Sequence, residues 1–204
     1  GPVVREWRLA RKAKRLPPED DLKEALALVG YEKMILDPKA RTVQLKKAGM
    51  KLDLGGIGKG YAADAAVKVL RQHGLTRVLV SAAGDIVAGD PPPERKGWEV
   101  GIAPLDDPDA PPTRFLLLTN SAVSTSGDAR QHVEIDGKRY SHIVDPRTGI
   151  GVLGQFSVTV TAKQGIDSDS LTKAALLLGR DRGLKFIEET PGTAALFIRK
   201  VDGK

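Results

Sequence analysis

Four glycines between Asp53 and Tyr61 predict a site for an anionic group. The segment reads Asp-Leu-Gly-Gly-Ile-Gly-Lys-Gly-Tyr. Glycines let backbone amides come close to a ligand, and a helix that starts after them points its positive N-terminal end at the same place. Lys59 would add a mobile charge for a phosphate, and Asp53 could accept hydrogen bonds from a ribose, a base or a ring imide. Because the spacing is neither a Walker loop nor a dinucleotide fingerprint, an ordinary glycine-rich turn is an equal alternative.

A second stretch combines hydroxyl groups with a histidine. Ser124-Thr125-Ser126-Gly127-Asp128 offers hydroxyls and a glycine amide to phosphate oxygens. A hairpin turn at Asp136-Gly137 is predicted to fold His142 back towards these hydroxyls, which makes His142 a candidate general base with Asp145 three residues on. A structural role is the alternative for a lone histidine beside a strand. Arg147, in a capped Asp-Pro-Arg-Thr-Gly turn, is expected to hold the loop.

The third stretch is a predicted helix start at residues 167–175, which contains Asp169 and Thr172. The two side chains are three residues apart and therefore share one helix face, where a carboxylate and a hydroxyl could hold a hard cation such as magnesium. The alternative is an acidic N-cap, which stabilises a helix by about 1 kcal/mol.

The elements that position these stretches alternate between strands and single helices. Helices are predicted to start at residues 17–21 and end at Gly30, to run from Ala62 to Gly74, and to cover residues 168–178. Predicted strands lie around residues 43–45, 50–54, 78–80, 98–102, 115–119, 133–135, 139–143, 156–160 and 194–201. This pattern predicts an α+β, or mixed α/β, fold with largely antiparallel sheets. The length of 204 residues favours a single domain.

Composition excludes several classes of function. The absence of cysteine removes disulfides, thiolate metal sites and thiol nucleophiles. The net charge of +6 is concentrated in a basic terminal arm, residues 5–15, whose single aromatic residue is Trp7. No nucleic-acid motif or stacking platform accompanies it, so we expect no nucleic-acid partner. No apolar run approaches the roughly 20 residues of a membrane span.

Taken jointly, the glycine loop, Thr-Ser-Gly-Asp, Tyr-Ser-His-Ile-Val-Asp-Pro-Arg-Thr-Gly and the late Asp-Ser-Leu-Thr helix resemble the ApbE family of FAD:protein FMN transferases. Their order and spacing carry the resemblance, which runs from Gly1-Pro2 to the C-terminal strand. It implies a flavin transferase fold over residues 1–204, without the family's N-terminal portion.

The resemblance implies a reaction and residues for it. FMN would pass from FAD to a Thr or Ser hydroxyl of an acceptor flavoprotein, a subunit of a membrane redox complex, with release of AMP. Asp53, Lys59 and Ile143 would contact FAD, and His142 would assist deprotonation of the acceptor. The same resemblance places the protein in the bacterial periplasm or at the exported face of the inner membrane.

The resemblance also implies a magnesium ion held by the Gly56 carbonyl, Asp169 and Thr172. The family usually has threonine where this chain has Lys173. Lys173 lies about 100° beyond Thr172 round the helix, near the direction of Asp169. Its ammonium is expected either to repel the metal or to substitute for part of its charge.

Three alternatives stay open from the sequence. Water could replace the acceptor, which would make the protein an FAD pyrophosphatase that yields FMN and AMP. Lys173 and the missing N-terminal portion instead favour a non-catalytic flavin-binding protein. The basic charge leaves nucleic-acid binding as a third and less favoured class.

Overall fold

The structure is a computed structural model, and it describes residues 1–200. Contacts divide the chain into two compact units. The first unit comprises Gly1–Asp53 and Gln131–Gly154, and the second comprises Leu54–Arg130 and the chain from Gln155 onwards. The expectation of one domain over residues 1–204 stays a prediction, and each unit is described by itself.

Within these residues the helices are α1 (Pro2–Ala13), α2 (Glu19–Ala27), α3 (Gly58–Gln72), α4 (Gly165–Leu178) and α5 (Arg180–Glu188). The strands are β1 (Met34–Asp37), β2 (Thr42–Leu45), β3 (Leu79–Ala82), β4 (Asp85–Ala88), β5 (Trp98–Ile102), β6 (Arg114–Leu118), β7 (Ser121–Gly127), β8 (His132–Ile135), β9 (Lys138–Val144), β10 (Gly151–Leu153), β11 (Phe156–Ala162) and β12 (Ala194–Arg199). All strand pairs are antiparallel, which confirms the predicted mixed fold with antiparallel sheets.

The first unit is organised around Trp7. Val3, Trp7 and Ala10 recur at helical spacing on α1, and all three are buried. The Trp7 indole Nε1 donates a hydrogen bond to the Gly149 carbonyl at 2.6 Å, and its ring centroid lies 5.4 Å from that of Tyr140 on β9. The prediction of a basic arm was therefore incomplete. This segment is a packed helix, because Val3, Trp7 and Ala10 lie on one buried face, although Leu9 is exposed.

The sheet of the first unit has the strand order β10-β9-β8. Asp136 and Gly137 have φ values of 50° and 70°, which is the backbone of a tight hairpin turn and confirms the turn predicted there. The turn joins β8 to β9 and pairs His132 with Ser141. Leu22 and Ala25 of α2 complete the core beneath this sheet.

The strand predicted at residues 50–54 was wrong. These residues form no strand, and Leu52 and Leu54 are 52% and 59% exposed. Their alternation of apolar and polar residues matches a strand, but no neighbouring strand pairs with them and no core covers the apolar side. The glycine segment therefore follows a stretch of chain that belongs to no sheet.

The second unit is built on a five-stranded sheet with the order β12-β11-β7-β4-β3. Neighbouring residues of its strands face opposite sides of the sheet. Val87 and Ala122 pack against α3, whereas Ala88 and Val123 pack against the β5-β6 hairpin. Because both faces are covered, the interior strand β11, which lies between β12 and β7, is buried along almost its whole length.

Helices α3 and α4 approach each other at two glycines. A Cβ on Gly60 would lie 2.0 Å from the Gly165 carbonyl oxygen, and a Cβ on Gly165 would lie 2.7 Å from that of Gly60. Asp64 of α3 accepts hydrogen bonds from Gly165 N at 2.7 Å and Ile166 N at 2.9 Å. Asp169 of α4 accepts one from Gly60 N at 3.1 Å. Each helix thus supplies a carboxylate that caps the first turn of the other.

Other element boundaries differ slightly from the predictions. Helix α4 begins at Gly165, three residues before the predicted start, because Asp64 caps its first amides. Strand β12 ends at Arg199, and the predicted last residue, Val201, lies outside the described residues. Among the helices found in residues 1–200, none has the length and apolar character that crossing a membrane requires.

The glycine contact between α3 and α4 gives a stability prediction. We expect Gly60→Ala to lower the free energy of unfolding by about 1–3 kcal/mol or more, because the new methyl group meets a backbone carbonyl. Gly58→Ala is the matched control, since its Cβ would lie 3.9 Å from the Leu54 Cβ, an ordinary contact. Urea denaturation of both variants provides the measurement. Equal stability of the two variants would contradict this account of the helix contact.

Candidate functional site

The glycine segment forms the turn that starts α3. The amides of Ile57 and Gly58 donate to the Leu54 carbonyl at 3.1 and 2.7 Å, and the helix runs on from Gly58. The N-cap residue, Ile57, makes no side-chain hydrogen bond to this helix start, and the Gly60 amide donates to Asp169 of α4. The predicted order, a glycine turn followed by a helix, is therefore confirmed. The positive N-terminal end of α3 is a place where an anion is stabilised.

Lys59, in the first turn of α3, is held by a buried acid. Its Nζ lies 2.6 Å from Asp85 Oδ2, and the Asp85 side chain is only 2% exposed. Asp85 opens β4 directly after a tight turn at Ala83 and Gly84, where φ is 51° and 95°. The Lys59 ammonium, which was predicted to be mobile, is thus held in position by its ion pair with Asp85. Asp85 was missed by the site prediction, although an acid immediately before an apolar strand was the available signal.

Asp64 was also missed. It lies on the face of α3 that carries the buried residues Gly60, Ala63 and Val67. A carboxylate among small and apolar residues at helical spacing indicates a buried hydrogen-bonding role, since a buried charge needs partners. The role is the cap of α4 described above.

Asp169 is fully buried, and both of its carboxylate oxygens have partners. Oδ2 accepts from the Gly60 amide, and Oδ1 is paired with the Lys173 ammonium. Lys173 Nζ also donates to the Asp169 main-chain carbonyl at 2.8 Å. Lys173 therefore lies where the helical geometry predicted, next to Asp169 and one turn further along α4.

Thr172 and Ser126 are hydrogen-bonded to each other in the interior. Thr172 Oγ1 donates to the Asp169 carbonyl at 2.7 Å and lies 2.7 Å from Ser126 Oγ. Because a hydroxyl has one proton, Ser126 must donate to Thr172. Ser124 makes a similar contact with Ser168 at 2.8 Å. These hydroxyls join β7 to α4.

The phosphate-type loop predicted at residues 124–128 is largely a strand. Ser126 and Gly127 belong to β7, which pairs with β11 on one side and β4 on the other. A Cβ on Gly127 would lie 2.5 Å from the Phe156 carbonyl oxygen, so this glycine permits close strand packing. Asp128 accepts a hydrogen bond from Phe156 N at 2.9 Å. The prediction of a loop was wrong because the serines and the glycine serve the sheet and the helix beneath it.

His142 lies on β9 in the first unit. Its main-chain amide donates to the Gln131 carbonyl at 3.1 Å, and its ring Nδ1 lies 3.0 Å from the same oxygen. A carbonyl oxygen only accepts, so Nδ1 carries the proton, and a neutral ring then has its lone pair on Nε2. The hairpin folds His142 against Gln131. The approach of His142 to the serine hydroxyls stays a prediction. The neighbouring Ile143 is buried, with its amide bonded to Ser141 Oγ at 3.0 Å.

The carboxylate of Asp145 is paired with Arg147. The Arg147 Nε lies 2.9 Å from Oδ1, and its terminal NH₂ group lies 2.6 Å from Oδ2. These hydrogen bonds from Arg147 hold the pKa of Asp145 below its ordinary value. Arg147 thus holds the loop, as predicted, through its contacts with Asp145.

The remaining predicted flavin contact, Asp53, also has a charged partner. Its Oδ2 lies 3.0 Å from the terminal NH₂ of Arg8 on α1. The predicted site residues therefore fall into two sets by unit. The first unit contains Asp53, His142 and Ile143, and the second contains Gly56, Lys59, Ser126, Gly127, Asp169 and Thr172.

The second set does not fit a magnesium ion as its side chains stand. The Asp169 carboxylate and the Thr172 hydroxyl are engaged, and the stem of Lys173 passes beside Gly56, 3.9 Å from a Cβ placed there. A divalent ion about 4 Å from an ammonium group would meet a repulsion of about 8 kcal/mol at an effective dielectric constant of about 20. Within residues 1–200 no group of three or more histidines and acids is arranged to hold a metal.

Comparison with known proteins identifies relatives that share both sequence and fold. The chain is 35% identical to the FAD:protein FMN transferase of Treponema pallidum (strain Nichols), over 97% of this chain and 59% of that protein. It is 33% identical to the FAD:protein FMN transferase of Klebsiella pneumoniae (strain 342), over 98% of this chain and 62% of that protein. The chain thus spans about three fifths of the length of these relatives.

Solved structures of flavin transferases share the fold of this chain. The flavin transferase ApbE from Vibrio cholerae superposes with a TM-score of 0.85 at 29% identity, covering 100% of this chain and 64% of that one. The apo form of Pseudomonas stutzeri flavinyl transferase ApbE superposes with a TM-score of 0.82 at 29% identity, covering 99% and 62%. Because the ApbE family model matches residues 1–197, nearly the whole sequence, this chain belongs to the ApbE family.

Proposed function

We propose that this chain acts in the transfer of FMN from FAD to a Thr or Ser hydroxyl of an acceptor protein, with release of AMP. The observation that carries the proposal is the start of α3, where a glycine turn, the N-terminus of a helix and Lys59 occur together. Relatives that share about a third of the residues are FAD:protein FMN transferases. The pyrophosphate of FAD is an anion of the kind that such a helix start stabilises.

Lys59 has the clearest role in this proposal. Its ammonium is held by the buried carboxylate of Asp85, and the Lys59 side chain is 42% exposed, so it remains accessible to a ligand. A positioned charge needs no reorganisation when negative charge moves onto the leaving phosphate. Lys59 thus binds the pyrophosphate, and Asp85 positions Lys59.

His142 is the proposed base. The hydroxyl oxygen of the acceptor attacks the phosphorus on the FMN side of the pyrophosphate, and its proton passes to His142 Nε2. The bond between this phosphorus and the bridging oxygen breaks, and AMP leaves with the bridging oxygen. The hydrogen bond from Nδ1 to Gln131 supports this role, since it leaves the basic lone pair on Nε2.

The resemblance implied magnesium, but no step of the transfer proposed here uses it. Where relatives of this kind use a metal, it neutralises phosphate charge. In this chain the predicted donors Asp169 and Thr172 are engaged with Lys173, Gly60 and Ser126. The residues described here bind and orient the pyrophosphate through Lys59 and the start of α3.

The proposal extends to the acceptor and its location. The acceptor is a flavoprotein subunit of a membrane redox complex, met at the exported face of the membrane. This part rests on the resemblance, and the names of the relatives support it only in that FMN is passed to a protein.

The transfer itself is tested with FAD and a candidate acceptor subunit. We expect the acceptor to gain the mass of one FMN less one water on a Thr or Ser, with one AMP released for each modified acceptor. Intact-mass and peptide mass spectrometry measure the first quantity, and chromatography measures the second. Free FMN with unmodified acceptor would indicate hydrolysis, and FAD bound without any AMP would indicate a flavin-binding protein. Either result would contradict the proposed transfer.

The base role of His142 gives a second functional prediction. We expect His142→Ala to slow transfer by roughly 10²–10⁴-fold while the dissociation constant for FAD changes little, because a general base acts on the rate. His73→Ala is the control, since His73 is exposed at the end of α3. Single-turnover rates and FAD titrations separate the two quantities. A parallel loss of rate and affinity would make His142 a binding residue instead.

The role of Lys59 is tested by charge removal on α3. We expect Lys59→Gln to raise the dissociation constant for FAD roughly tenfold to hundredfold, because it removes a charge-assisted contact with phosphate. Lys68→Gln removes a charge from an exposed position of the same helix and should leave binding unchanged. Fluorescence titration of FAD measures both. If the two variants bind FAD equally well, the helix start is not the pyrophosphate site.

A further inference from the structure

Lys173 is placed as a built-in cation. Its Nζ contacts two oxygens of Asp169, the main-chain carbonyl at 2.8 Å and the carboxylate Oδ1. Its stem passes beside Gly56, in the glycine turn that starts α3. The Lys173 side chain therefore contacts the Asp169 carboxylate, which was predicted to bind a metal. It also lies next to Gly56, whose carbonyl was predicted to bind the same metal.

The carboxylate of Asp169 needs a cation in this position. The side chain is fully buried, and a buried carboxylate without a positive or hydrogen-bonding partner is strongly destabilised. Lys173 is four residues further along the same helix, so its ammonium is tethered beside the acid. A tethered group binds intramolecularly, at an effective concentration that does not depend on the surrounding solution.

The ammonium also retains capacity for a ligand. A lysine has three N–H donors. Among the described residues, the acceptors of Lys173 Nζ are both on Asp169, which leaves a third N–H for an anionic oxygen. Its side chain is 21% exposed, whereas that of Asp169 is 0% exposed, so the cation faces outward from a buried anion.

We infer that Lys173 replaces the divalent metal at Asp169, so that this chain binds the pyrophosphate of FAD without magnesium. The inference rests on the proposed function for its ligand. The inference makes a prediction that the proposed function alone does not make, since a flavin transferase with a metal at Asp169 would need magnesium for tight FAD binding. A single ammonium also supplies one positive charge where a metal would supply two.

The first experiment titrates FAD into the whole chain in chelator and in millimolar magnesium. We expect the dissociation constants of the natural chain to agree within about twofold in the two buffers, since no cation is missing. Lys173→Thr should lose roughly tenfold to hundredfold in affinity in chelator and regain it with magnesium. Lys173→Arg keeps the charge and should remain independent of the metal. Lys185→Thr removes a lysine from another i,i+4 pair, Lys185 with Glu189, and should behave like the natural chain.

A second measurement uses no flavin. Because Lys173→Thr leaves the Asp169 carboxylate without its cation, magnesium should raise the melting temperature of this variant and leave that of the natural chain unchanged. If Lys173→Thr does not fold, Lys173→Met replaces it in this measurement, because methionine has an unbranched side chain of similar length and no charge.

The outcomes separate the inference from the proposed function. FAD binding by the natural chain that weakens more than about tenfold in chelator would overturn the inference and leave the transfer proposal intact. Identical FAD titrations for the natural chain and Lys173→Thr in both buffers would overturn it too. No FAD binding in either buffer would contradict the proposed function, and the inference with it.

Discussion

The contact between Gly60 and Gly165 is the constraint on which the second unit depends. Two helix starts meet with no room for a Cβ, and each receives a carboxylate from the other helix. The first amides of a helix need acceptors when they are buried. Asp64 and Asp169 supply them, and in doing so they fix the direction in which α3 and α4 begin. Lys59, in the first turn of α3, depends on that placement.

Burying carboxylates beside these helix starts has an electrostatic consequence. Two of the buried acids are paired with lysines: Asp85 with Lys59, and Asp169 with Lys173. A buried pair is destabilising to break, because the remaining charge has no solvent to stabilise it. The two ammonium groups are therefore held in place before any ligand arrives. Preorganised charge of this kind favours the binding of an anion, since little reorganisation is required.

The first unit shows the same dependence on distant partners. The indole of Trp7 closes the loop at Gly149, 142 residues away in sequence, and the β8-β9 hairpin supplies the Gln131 carbonyl that sets the tautomer of His142. Membership of the ApbE family rests on the match over residues 1–197, and it agrees with the motif order read from the sequence. The departure from the family at Lys173 is explained by the ion pair with Asp169.

Local features were predictable because neighbours along the chain determine them. The turn at Asp136-Gly137, the helix after the glycine segment and the position of Lys173 one turn beyond Asp169 all follow from backbone geometry. Contacts between distant segments were not predictable. Residues 50–54 alternate like a strand but form no strand, Ser126 belongs to β7 and contacts α4, and the partner of Lys59 is Asp85. Strand pairing and burial depend on the packing of segments far apart in sequence, so only the tertiary structure decided which predicted groups are buried, paired or accessible.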